Sequence, residues 1–240
     1  MVEFTHSKVV YQWSILPTSQ HNDVANFIYL DFQAFSPPNN TKRLVIIMQI
    51  IKYPHPILRH KCKPVKRIDQ GLRDIIAEML VVMYDDDGVG LAANQIGLPY
   101  RIFVLNTSGN PEHKDNEFVF INPVMSKKKG SAESDEGCLS FPAIHAPVVR
   151  PDEIVIQGVG LDGQVREYHW KGFAAKAAQH EMDHINGMSF IDRLSPANLL
   201  AVREQLEELE MQFETNRRLK LIQDDAEIVA VIEEMERRYC

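Results

Sequence analysis

The segment QHEMDH, Gln179 to His184, sets two histidines four residues apart with a glutamate directly after the first. On a helix, at ~100° per residue, His184 lies only ~40° around the axis from His180, so both imidazoles can reach one ion. Such a pair still lacks a third protein ligand. The fold must therefore carry a distant segment up against this helix, and that demand restricts the chain more than its composition does. Glu181 is rotated ~60° from His184, within reach of water beside the ion, and Asp183 flanks the opposite side. The longer reach of glutamate and the H-E-x-x-H pattern favour Glu181 as the base, with Asp183 in a supporting role.

Three sources for the missing ligand compare unequally. One metalloprotease pattern continues with a glycine and a third histidine; Gly187 fits, but Phe190 stands where the histidine would be. A second pattern takes a downstream glutamate. Glu204 is available, yet Glu207 and Glu208 share its helical face, which reads as a solvated stripe. The third source is Cys138, in DEGCLSFP (Asp135 to Pro142), where Gly137 permits a close backbone approach. One thiolate with two imidazoles leaves a fourth position open, the arrangement of a catalytic site. Beside the histidine pair Cys138 is the stronger candidate, and Glu204 stays as the alternative.

Around this helix the pattern predicts an α+β fold. Leu72, Ile75, Ile76, Met79, Leu80 and Met83 recur at helical spacing behind Asp69, a cap, and DDDG (Asp85 to Gly88) ends the run. The short runs RIFVLN, EFVFIN, EIVIQGV and VREYHW, separated by turns such as LDGQ, predict an antiparallel sheet. The metal-binding helix then spans Gly172 to Ile185 and stops at Asn186-Gly187. Past Ser195-Pro196 come tail helices, with Leu199, Leu200, Val202, Leu206 and Leu209 in one and Ile228, Val229, Ile232 and Met235 striping the last. Residues 1–47 lack periodicity and read as a disordered or loosely packed extension, or as a start placed too early. Residues 48–196 form the catalytic domain, and 197–240 a helical extension.

Composition removes whole classes of function. A net charge of −7 speaks against nucleic acid as the main partner, no apolar run is long enough for a membrane span, and three cysteines make no disulfide framework. With no secretory or transit signal, the expected location is the cytoplasm.

Three segments in order, GVGLAANQ (Gly88 to Gln95), EGCLS (Glu136 to Ser140) and QHEMDH, together with MQIIKYPHPILR (Met48 to Arg59), resemble the peptide deformylase family over about residues 48–196. The resemblance implies antiparallel sheets packed around the central metal-binding helix. It implies hydrolysis of the formyl group from N-formylmethionine on nascent polypeptides, a co-translational step of protein biosynthesis. The implied metal is Fe2+, replaceable by Zn2+, Ni2+ or Co2+, on Cys138, His180 and His184. Glu181 becomes the general acid and base, and Gln95 and the Leu139 N–H hold the oxyanion. By the same resemblance Gly90 contacts substrate. A methionine pocket should be apolar, with Val89, Leu139 and the alanines before His180 as candidate walls. Lys176 stands where its stem could border that pocket, with a solvent-facing role the preferred alternative. His145 occupies a rim position where many relatives carry arginine. Arg150 is expected to pair with Glu136 or Asp183. A transient ribosome contact is also implied, although the mixed charge of the tail favours packing on the domain or self-association. Against this stand two rivals: a peptidase using Glu204, and a non-catalytic metal-binding scaffold.

Overall fold

The computed structural model describes residues 48–240; the expectation for residues 1–47 lies outside the described residues. Helix α1 (Gln70–Asp85) begins where the Asp69 carboxylate accepts the Leu72 N–H, a cap of about 1 kcal/mol. Its buried stripe holds Leu72, Ile75, Ile76, Met79 and Met83 of the predicted set, with Val82 buried as well and the predicted Leu80 only partly buried. Seven strands follow among the described residues: β1 (Gly90–Ala92), β2 (Ile102–Asn106), β3 (Glu117–Lys129), β4 (Ala132–Cys138), β5 (Phe141–Arg150), β6 (Glu153–Val159) and β7 (Val165–Lys171). Five of them make an antiparallel sheet in the order β1-β2-β3-β6-β7, and β4 and β5 pair separately as a hairpin.

Helix α2 (Gly172–Ile185) packs on the five-stranded sheet. Ala175, Ala178 and Ile185 meet Ala92, Phe103, Leu105, Phe120, Ile154 and Ile156, and the small alanines let helix and sheet approach closely. Gly187, at φ +76°, ends the helix with its Cα against the Arg59 carbonyl, where a side chain would collide with backbone. The hairpin lies on the other side of the site. Ile144, Ala146 and Val148 of β5 pack with Phe190, Ile191 and Leu206.

The tail comprises α3 (Pro196–Ala201), α4 (Arg203–Arg218) and α5 (Asp225–Tyr239). Helix α5 lies along the core through Ile228, Ile232, Met235 and Tyr239. Two expectations need correction here. Val229 faces solvent while Tyr239 completes the stripe, and Leu199 and Leu200 are exposed on the short α3. Strand β3 also outruns its expected end at Asn122. A bulge there, with Asn122 at φ +52°, lets pairing with β6 resume at Val124 and continue to Lys129.

Candidate metal centre

The fold carries Cys138, at the end of β4, to the two histidines on α2. Cys138 Sγ lies 3.2 Å from His184 Nε2, which lies 3.3 Å from His180 Nε2, and the three donor atoms fall within 4.8 Å of one another. Two imidazole nitrogens and a sulfur thus share one focus with no carboxylate or ammonium among them. His180 Nδ1 pairs with Glu136 Oε2 at 3.1 Å, which turns Nε2 toward that focus. Burial disfavours the charged imidazole at both positions. At His180 the contacts with Cys138 and Glu136 more than offset it and raise the pKa well above its usual range; at His184 burial and the neighbouring His180 hold it well below. This donor set fits one divalent ion of intermediate softness.

A buried ion-pair network braces the focus. Arg150 donates to Glu136 at 2.6 and 2.9 Å and to Asp183 at 2.8 Å, and Arg193 donates to Asp183 at 2.6 and 3.1 Å. Burial alone would raise the Glu136 pKa, but hydrogen bonds from His180 and Arg150 bring it down to about 2. Both carboxylates expected to meet Arg150 do so. The two acidic candidates on α2 therefore part company: Asp183 is taken up by two guanidinium groups, whereas Glu181, 4% exposed, keeps Oε2 without a hydrogen-bond partner. Burial pushes the Glu181 carboxyl up to about 7, against the pull of His180 and Arg150.

The other predicted residues gather on one cleft of about 540 Å3, lined by Val89, Gly90, Gln95, Cys138, Leu139, His145, His180 and Glu181. Gln95 is locked by its own ends: Oε1 accepts the Ala92 N–H at 2.9 Å, while Nε2 donates to Ser140 Oγ at 3.2 Å and lies 3.5 Å from Cys138 Sγ. Gly90 lies so near the acid that a Cβ there would sit 2.5 Å from Glu181 Oε1. His145 stands exposed on β5, 3.7 Å from Asp135 and packed over Gly137. Lys176 lines the cleft and makes no ion pair among the described residues. Glu204, the rival third ligand, is exposed on α4 and does not join the metal-binding group.

Sequence reasoning missed two contributors. The contact of Glu136 with His180 crosses 44 residues and had no local signal. Phe173, exposed yet lining the cleft, did have one: it precedes His180 by seven residues, two helical turns on the same face.

Comparison with known proteins gives a consistent picture. The family model described as polypeptide deformylase matches residues 47–199. A peptide deformylase of Rhodopirellula baltica is 38% identical over 192 residues, covering 80% of this chain and 95% of the relative. A chloroplastic peptide deformylase 1B of Oryza sativa is 38% identical over 199 residues, covering 82% and 69%. Among solved structures, an inhibitor complex of Arabidopsis thaliana peptide deformylase 1B superposes with a TM-score of 0.68 at 39% identity, covering 70% of this chain and 93% of that one. The Thermotoga maritima peptide deformylase gives 0.58 at 36% identity, covering 62% and 99%.

Proposed function

This chain belongs to the polypeptide deformylase family, and from that premise we propose how its own residues take the formyl group from the N-terminus of formylated nascent peptides. The enzyme is a metal-site hydrolase. Water adds to the formyl carbon, the C–N bond breaks, and formate leaves the freed amine. Cys138, His180 and His184 would hold the ion, with Fe2+ as the resident metal and Zn2+, Ni2+ or Co2+ as substitutes, since a thiolate–imidazole set accepts several divalent ions. When bound, such an ion supplies Lewis acidity, which makes water nucleophilic near neutral pH.

The chain's residues divide the remaining work. Glu181 takes a proton from the attacking water and returns it to the departing amine. The unpartnered Oε2 of Glu181, on the cleft that Cys138 and His180 also line, is the observation that carries this assignment. As charge collects on the formyl oxygen, the Gln95 amide and the Leu139 N–H receive it. Each such donor is worth about 2.7–4 kcal/mol in the transition state. The Gly90 backbone lies against the reacting end of the substrate, Val89 walls the methionine side chain, and His145 borders the mouth of the cleft.

Residues 48–196 are assigned as the catalytic unit, and the helices of 197–240 as a brace packed on it. The compartment is one where synthesis begins with formylmethionine, and the cytoplasm is the reading retained. Contact with the ribosome is brief and set by the emerging chain; co-sedimentation with translating and empty ribosomes tests it.

The deciding experiment measures formate release from formyl-Met-Ala-Ser after anaerobic purification, with metal analysis of the same samples. Cys138→Ala is expected to lose both metal and turnover. Glu181→Ala is expected to keep the metal and lose about 10²–10⁴ in kcat. Formate release by a metal-free Cys138→Ala enzyme would overturn the reading.

A further inference from the structure

Residues 51–53, near the start of the described chain, make three hydrogen bonds that converge on the two loops assigned above to the oxyanion. The Ile51 N–H donates to the Gln95 carbonyl at 2.7 Å, and the Tyr53 N–H to the Ser140 carbonyl at 2.9 Å. Between them the Lys52 ammonium donates to the Leu139 carbonyl at 2.7 Å. Consecutive residues thus grip the backbone of both donors, one on the turn after β1 and one on the β4–β5 turn. Two of the grips are main chain to main chain. Lys52 alone acts through its side chain.

Leu139 is held from both sides of its peptide. Cys138 precedes it at the metal focus, and Ser140 follows with its N–H 3.4 Å from the Cys138 sulfur. The Leu139 N–H itself has no acceptor among the described residues. A donor left open in this way stabilises charge only if its direction is fixed before charge appears, because reorientation during the reaction would consume the gain. Anchoring the carbonyl of the same residue restricts its backbone rotation. A half-buried ammonium makes a strong anchor, since a hydrogen bond to a charged group outweighs one between neutral partners.

We propose that Lys52 is a positioning residue for the deformylation reaction: its ammonium holds the Leu139 carbonyl and so restricts rotation about the Leu139 Cα, keeping the Leu139 N–H of the preceding peptide aimed at the developing oxyanion. The inference rests on the deformylase reading above and assigns a role to a residue outside the three signature segments. Lys52 does not line the cleft and hydrogen-bonds to none of the three metal-binding side chains, reaching Cys138 only through its charge, so its removal is expected to act on the rate and leave ligation in place.

The test uses the full-length, metal-loaded enzyme. Lys52→Met keeps the length and apolar stem but loses the donor. Its kcat is expected to fall about tenfold, part of the 10²–10³ lost when an oxyanion donor is removed outright. KM should stay within about twofold, because the contact acts in the transition state. Metal content and melting temperature should match the parent, and Lys52→Arg, which restores a cationic donor, should recover most of the rate. Amide hydrogen exchange in the peptide spanning Cys138 to Ser140 should quicken in Lys52→Met alone. Gln95→Ala serves as the control for the oxyanion reading. If it loses rate while Lys52→Met does not, the proposal falls and the reading stands; if Gln95→Ala is fully active, both fall. A loss of rate in Lys52→Met that merely tracks lost metal or lost melting temperature would also overturn the proposal.

Discussion

Helices α2 and α4 are nearly equal in length, 14 and 16 residues, and both are dense in ionisable side chains, yet they place that charge in opposite ways. On α2, Glu181, Asp183 and His184 point inward and are almost wholly buried. On α4 the glutamates 204, 207 and 208 face solvent, and only Leu206 and Phe213 are buried. An inward charge needs partners, and α2 draws them from elsewhere: Arg150 and Glu136 from the hairpin, Arg193 from the turn beyond the helix. Its integrity is therefore a property of several segments together. Helix α4 needs only its apolar stripe and a few exposed pairs, such as Arg203 with Glu207, of little energetic weight. Function sits where burial had to be compensated from a distance.

That contrast can be broken most directly at Arg150. Replacing it with methionine leaves Glu136 buried without its guanidinium and Asp183 with only Arg193, and should destabilise the fold by about 3–5 kcal/mol in urea denaturation. The zinc-loaded protein should also release metal faster to a chelator, because Glu136 orients His180. A near-neutral result would mean that the buried network is dispensable and α2 no different from α4.

A somewhat smaller effect concerns the inner side of the tail. His55 is buried against Phe213 of α4, and burial, helped by the nearby Arg217, lowers its pKa to about 4. The unfolded chain takes up this proton near pH 6.5, whereas the folded chain resists it until about 4. Between those values the unfolded state binds more protons, so stability falls as the pH falls and the loss is complete below the folded pKa. The depression corresponds to about 3 kcal/mol over that window. His55→Gln should flatten this part of a stability–pH profile, measured by thermal melting, and an unchanged slope would show that α4 also lacks a buried charge dependence on its inner face. The smallest effect is predicted for Glu204→Ala, within about 0.5 kcal/mol in stability and with unchanged kcat. A substantial loss of metal in that variant would reinstate the rejected ligand.

How much of this was legible in the sequence follows the same divide. Helix α1, helix α2 and the centre of the sheet obey local rules: a cap at Asp69, a repeat of buried side chains, and alternation bounded by turns. The three donors were legible too, because a helical histidine pair has to find a third ligand. Of the β4–β5 hairpin the sequence shows only extended chain around Cys138, which suits a strand or strand edge, and neither the pairing nor the second strand. Its period-two burial, Ile144, Ala146, Val148 and Arg150, is interrupted in sequence by Pro142 and Pro147 and ends on a buried arginine. Prolines lower strand propensity, and only tertiary pairing with Glu136 and Asp183 makes an inward arginine tolerable. In the tail, Val229 looked like part of the stripe because hydrophobicity alone cannot say which side of α5 meets the core.

The bare Cα of Gly90 lies hard against the Glu181 carboxylate, with Leu105 close on its other flank. Even a methyl group there would have to push aside the Glu181 carboxylate and the end of the Leu105 side chain. A compound pressed against that stretch of main chain would face a position where any added side chain pushes on the acid itself, whereas one leaning on the exposed ring of Phe173 or His145 would meet side chains that point into solvent.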